Sequence, residues 1–240
     1  MASSIPTLLE LFQKYCADNN DEAGRERYKS IAAQIEAIRS GEQNLTDNFL
    51  EELWTEHIFG EGSAASRSTF QKKYFPNLQH ILSKITMMLI SNPSPNTLVE
   101  CMDIWTKASI GHNPRAVTRR VLVLAAPTVY PSILTEKYLK SLIKWLNEEY
   151  SLGISGETWE DLSAGVRTAV VAQGIPDNDP FLVNTFIEHL WRQVDPLQKR
   201  GGNVEMNSED DNVPEPGIDK PEALNTIYYG PPGTDRKSVV

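Results

Sequence analysis

The sequence is poor in several features, and each shortage excludes something. No apolar run approaches the ~20 residues of a membrane span. The N-terminus has no basic stretch leading into an apolar one, as an export signal would. Both shortages predict a soluble, cytoplasmic protein with no membrane contact. Only 2 of 240 residues are cysteine. Cys16 and Cys101 lie far apart without the His/Cys spacing of a zinc site, so they read as buried thiols and not a disulfide. His57, His80, His112 and His189 are scattered, and no metal site is predicted. Ser155-Gly156-Glu157 and Ser163 have no partner in the sequence that would make a hydrolytic triad. Positive charge is also in deficit, with 23 Lys and Arg against 32 Asp and Glu and a net charge of −9. That balance excludes a chain that coats nucleic acid by bulk charge, while leaving room for a local basic face.

What is there is helical patterning. Apolar residues make up 40% of the chain, enough for one substantial core or two small ones. Leu8, Leu9, Leu11, Phe12, Tyr15 and Cys16 form the stripe of a first helix, with Pro6 in its early turn. Tyr28, Ile31, Ile35 and Ile38 mark a second over 22–39, stopped by Gly41. Thr46 opens a third that runs toward Gly60. Beyond Pro76, Leu78, Ile81, Leu82, Ile85 and Leu89 pattern a helix closed by Asn92-Pro93-Ser94-Pro95. Others are predicted from Thr97 to Ala108, from the Asn113-Pro114 start to Pro127, over Glu136–Glu149 with Thr135 as cap, and near 157–173 and 179–194. The module is therefore mainly α, with eight or nine short helices. Short β pieces could hide in 60–76 and 127–134.

The charge is uneven. Residues 200–223 hold seven acids (Glu205, Glu209, Asp210, Asp211, Glu215, Asp219, Glu222) against Arg200 and Lys220, with several Gly and Pro and few apolar side chains. Such a stretch cannot repay its ordering entropy by burial and reads as a flexible acidic linker. The predicted organisation is a helical module over 1–199, with a possible subdivision near 41–60, then the linker over 200–223.

After the linker, Leu224-Asn225-Thr226-Ile227-Tyr228-Tyr229 is a β-forming run feeding Gly230-Pro231-Pro232-Gly233-Thr234, the way a phosphate-binding loop begins. Completing the loop requires Gly, Lys and Ser or Thr at 235–237, and the chain has Asp235, Arg236 and Lys237 instead. Two readings stay open. One is a Pro/Gly-rich tail that imitates the motif. The other is a nucleotide-hydrolysing domain cut off inside its first motif, over 224–234. Asp235 to Val240 resembles the translation of a common sequencing adapter, which favours the cut.

The Asn225–Thr234 stretch, the acidic linker and the helical module in front resemble the McrB-like AAA+ family, the motor subunits of modification-dependent restriction systems. Their loop typically reads Tyr-Gly-Pro-Pro-Gly-Thr-Gly-Lys-Thr, matched here by Gly230, Pro231, Pro232, Gly233 and Thr234. Tyr74-Phe75-Pro76, Asn113-Pro114-Arg115-Ala116-Val117 with Arg119, and Leu139 through Leu146 carry a softer likeness upstream. The resemblance implies a parent that binds ATP or GTP with Mg and assembles a homo-oligomeric ring. Its front module chooses a target, often modified duplex DNA, and a separate nuclease subunit cuts. No cofactor is expected in this chain alone.

Candidates for a DNA surface follow from charge. Arg115 and Arg119 are i,i+4 neighbours with Arg120 beside them and His112 at the cap, and the apolar face at Val117, Val121 and Leu124 places them on a solvent-facing flank. Arg67, Lys72 and Lys73 form a second cluster among Phe70, Tyr74 and Phe75. Lys137, Lys140 and Lys144 form a third, which reads equally as a solvated helix face. Tyr74, Phe75 and Trp145 read as core. The competing function is a protein-interaction adaptor whose basic clusters complement an acidic partner. A complete small enzyme is the third and weakest alternative.

Overall fold

A computed structural model describes residues 5–19, 21–56, 72–108 and 115–194. Nine α-helices and no strand occur among them. The acidic stretch 200–223, the loop-like 224–234 and the terminal 235–240 lie outside the described residues.

Helix α1, Leu8–Asp18, opens on a capping box. The Thr7 hydroxyl accepts the Glu10 N–H, and the Glu10 carboxylate accepts the Thr7 N–H at 2.7 Å. Pro6 therefore precedes the cap and is not part of the first turn. Helix α2, Glu22–Arg39, buries Tyr28, Ile31, Ile35 and Ile38 and is followed by Gly41 at φ +80°, a left-handed position that favours glycine. Helix α3, Asp47–Thr55, starts at the Thr46 cap and stops short of the Gly60 expected from the sequence. Thr55 turns its hydroxyl onto the Glu51 carbonyl, and Glu56 is already extended.

A short 3-10 turn, Lys72–Tyr74, leads into α4, Phe75–Ser91, and Ser94 then caps α5, Pro95–Lys107. Helix α6 is Arg115–Ala125, and α7 is Glu136–Tyr150. Thr135 holds the cap position of α7, but its side chain makes no capping bond. Helix α8, Trp159–Val171, has a second capping box from Thr158 and Asp161, and α9 is Pro180–Val194. The 127–134 stretch, a β candidate by sequence, pairs with no strand among the described residues. It is a turn followed by an extended strap that buries Tyr130, Ile133 and Leu134.

The helices fall into two packed groups. One holds α3, α4, α5 and α6, and the other holds α1, α7, α8 and α9. Helix α2 joins them, packing on α4 and α6 from one side and α9 from the other. One apolar core runs through both groups. Buried tryptophans anchor each group, and three of them find acceptors for the desolvated indole N–H, whereas Trp191 has none among the described residues. Trp54 donates to the Thr86 hydroxyl at 2.8 Å, Trp105 to Thr118 at 3.1 Å, and Trp159 to the Ile133 carbonyl at 3.1 Å. Cys101 is buried and Cys16 only half so, and both are free thiols. No helix among the described residues is long and apolar enough to cross a membrane.

Candidate nucleic-acid interface

Helix α6 is the element on which the basic candidates converge. Its run Val121–Ala126 is apolar on every side, and nine of its eleven residues are buried. A helix wrapped in this way has no broad solvent flank. Its arginines consequently differ in fate.

Arg120 is 0% exposed. Its guanidinium donates to the carbonyls of Leu53 and Glu56, the second at 2.8 Å, where the end of α3 leaves acceptors without helical partners. Its Nε–H has no acceptor among the described residues. Burial, reinforced by the charge of Arg27, pushes its pKa down, and Glu56 opposes that shift. The sequence placed Arg120 on the surface. The structure instead makes it an internal clamp between α6 and α3, because the strip beside Val121 is part of the core.

Arg119 lies over the ring of Trp159, 4.6 Å from its centroid, and donates to the Leu134 carbonyl at 3.0 Å. It thus ties α6 to α8 and to Leu134, two residues before α7. Arg115, one turn earlier, is exposed. Glu136, in the first turn of α7, records the neighbourhood. Its hydrogen bond from Lys140, together with the charges of Lys140, Arg119 and Arg115, holds its carboxyl below the ordinary glutamate range. Arg115, Arg119, Glu136 and Lys140 therefore share one surface.

On the α3 side, Lys72 sits 2.5 Å from Glu56 and 3.9 Å from Glu51. Its pKa is raised, first by the bond to Glu56 and then by that carboxylate's charge. Lys73 lies over the Tyr74 ring at 4.7 Å. Phe75 is buried and Tyr74 half-buried against the core, where the sequence placed both. Lys140 pairs with Glu136 at 2.6 Å and Lys144 approaches Glu148 at 3.9 Å, which leaves Lys137 with no ion pair among the described residues. Arg67 and His112 lie outside the described residues.

The structure thus brings the basic clusters to the same end of α6, but interleaves them with carboxylates. Lys72 and Lys73 reach it through Glu56 and Arg120, and Lys137 and Lys140 through Glu136 and Arg119.

A polar cluster in the other group carried no sequence signal. Arg167, 2% exposed, makes a bidentate pair with Asp177 and donates its Nε–H to the Pro127 carbonyl at 3.0 Å. Asn184 donates to the same carbonyl at 3.1 Å, and buried Ser132 reaches the Glu188 carboxylate at 3.2 Å. Arg167, Asn184 and Glu188 are buried and fasten the 127–134 strap to α8 and α9, while Asp177 closes the cluster from its exposed side. Ser163 is also fully buried, with its hydroxyl making no hydrogen bond among the described residues. No group of His, Cys, Asp and Glu suited to a metal ion occurs among the described residues. His189 packs on Tyr15 at 5.0 Å, and burial, then Arg192, lowers its pKa. No family model, no curated protein and no solved structure matches this chain.

Proposed function

We propose that the helical module is an adaptor that docks a protein partner within a McrB-like AAA+ system, and that it does not itself read DNA. The observation that carries this reading is the internal engagement of the cations nominated for phosphate. Arg120 is held by two backbone carbonyls, Arg119 by Trp159 and Leu134, and Lys72 by Glu56. A DNA interface draws its affinity from cations free to replace condensed counterions. The surface around α6 alternates signs, which suits a partner that carries both.

The link to a motor rests on Tyr229 through Thr234. In the proposed parent, ATP or GTP with Mg drives a ring, and a separate nuclease subunit cuts. Asp235 and Arg236 stand where that loop requires Gly and Lys, so this chain is proposed to bind no nucleotide alone. Duplex DNA titrated with the full chain at 50 mM and 200 mM salt tests the adaptor reading. Binding should be weak at the lower salt. Tight binding that weakens steeply between the two and drops on Arg115→Gln would return the module to DNA recognition.

A further inference from the structure

We infer that the strap 127–134 is a latch that opens and closes as one unit, and that it couples the Asp177 surface to the Arg119 face of α6.

The strap is held in a way that no helix of this fold is. Residues 130–134 are five consecutive buried residues in neither helix nor strand. Buried carbonyls need donors, and side chains from three helices supply them here. Arg167 of α8 and Asn184 of α9 donate to the Pro127 carbonyl at 3.0 and 3.1 Å. Trp159 of α8 donates to the Ile133 carbonyl at 3.1 Å, and Arg119 of α6 to the Leu134 carbonyl at 3.0 Å. Between these, the strap itself donates, through the Ser132 hydroxyl to the buried Glu188 carboxylate. The strap's own backbone contributes a turn, in which the Val129 and Tyr130 N–H groups reach the Ala126 carbonyl. Its junction with α7 is not stapled either, since the Thr135 side chain makes no capping bond.

The anchors also hold one another. The Arg167 Nε–H contacts the Asn184 side-chain oxygen at 3.3 Å, and the Arg119 guanidinium lies over the Trp159 ring. A segment with no ladder of its own has nothing to stabilise a half-released form, so losing one anchor weakens the rest. Both ends of this chain of contacts come to the surface. Asp177, a third exposed, grips Arg167 at one end, and half-buried Arg119 sits one turn from exposed Arg115 at the other. A partner that draws Arg119 away from Leu134 would thus loosen the Asp177 side, and by linkage a contact that removes Asp177 would release Arg119. On the adaptor reading, this makes the α6 face a regulated one. The latch itself rests on the strap's anchors and is tested without any partner.

Residue-resolved amide hydrogen exchange on the full chain provides the test. The Tyr130 amide reports the strap, and the amide of fully buried Leu89 in α4 reports unfolding of the whole. In the unaltered chain Tyr130 should exchange at least about tenfold faster than Leu89, as a locally opening unit does. Two substitutions then act at opposite ends of the strap. Arg119→Met keeps bulk over Trp159 but removes the donor, and Asp177→Asn keeps the shape but removes the charge. Each should speed Tyr130 exchange about tenfold, the effect of losing one charge-assisted hydrogen bond, and leave Tyr130 faster than Leu89. Tyr130 exchange as slow as that of Leu89 in the unaltered chain would overturn the inference, because the strap would then open only with the whole fold. Acceleration by one substitution alone, or by neither, would overturn it as well, since the anchors would then release separately.

Discussion

The two helix groups each bury an arginine, and they neutralise it by different means. In the α8–α9 group Arg167 meets a carboxylate, Asp177, ten residues away, with a backbone carbonyl and Asn184 completing its acceptors. In the α3–α6 group Arg120 meets no carboxylate among the described residues. It takes two carbonyls from the end of α3, 64 and 67 residues earlier, at the negative pole of that helix. Burying a guanidinium thus requires acceptors in its plane, and they need not be charged. The difference has a consequence for mutation. A carboxylate partner can be replaced together with its arginine, whereas backbone carbonyls remain whatever the side chain becomes.

The largest effect should come from Arg120→Ala. It leaves two buried carbonyls without donors and a cavity in the core, at a cost of about 4 kcal/mol in urea unfolding. Arg120→Met restores volume but no donor, and should recover less than half of that loss. If Met proves as stable as Arg, the carbonyl clamp is not what holds α3 to α6.

In the other group Asp177→Ala removes the carboxylate partner of Arg167 but leaves its bonds to Pro127 and Asn184. Since Asp177 is a third exposed, the change should cost about 2 kcal/mol. The double variant Arg167→Met, Asp177→Leu should be less destabilised than the sum of the two single changes, with a coupling above about 1 kcal/mol. Simple additivity would remove the contrast with Arg120.

Alkaline pH separates buried groups from exposed ones. Burial, with a smaller contribution from Glu100, pushes the Cys101 thiol up to about 12. Tyr28 is likewise shifted upward by burial. A thiol that ionises later in the folded state favours folding below its unfolded pKa and loses that benefit as pH rises. Cys101 should therefore cost about 1.4 kcal/mol of stability for each pH unit between about 9 and 12. Cys101→Ala should flatten the slope of urea stability against pH by one proton. Thiol labelling sharpens the same division, because half-exposed Cys16 should react in the native state and Cys101 only on opening.

The smallest effect belongs to the exposed end of α6. Arg115→Gln should change stability by no more than about 0.5 kcal/mol. A larger loss would mean that Arg115 is tied into the interior in the way Arg119 and Arg120 are.

Helix positions were largely legible, because period and punctuation coincide. Tyr28, Ile31, Ile35 and Ile38 step along one face before Gly41, and the observed α2 matches the predicted 22–39. Thr46 caps α3 as its chemistry suggests, while Thr135 holds its cap position without a capping bond. The site was harder to read. Arg115, Arg119 and Arg120 look alike in the sequence, yet one is exposed, one stacks on Trp159 and one is sealed inside. The unbroken run Val121–Ala126 was the available signal, since a helix apolar on all sides has no outer flank for Arg120. The strap at 127–134 failed for the opposite reason. Its β-branched and aromatic residues fit a strand, but no neighbouring strand exists among the described residues to pair with it, so Asn184 and Arg167 take the Pro127 carbonyl instead.

The sequence by itself determined that this chain makes short amphipathic helices, where most of them begin and end, and that an acidic stretch follows them. These are properties of neighbours within a few residues, set by periodicity, capping and charge density. Only the tertiary structure decided which cations face water, because that depends on carbonyls and rings supplied from 15 to 67 residues away. No local pattern records an acceptor that arrives with another helix.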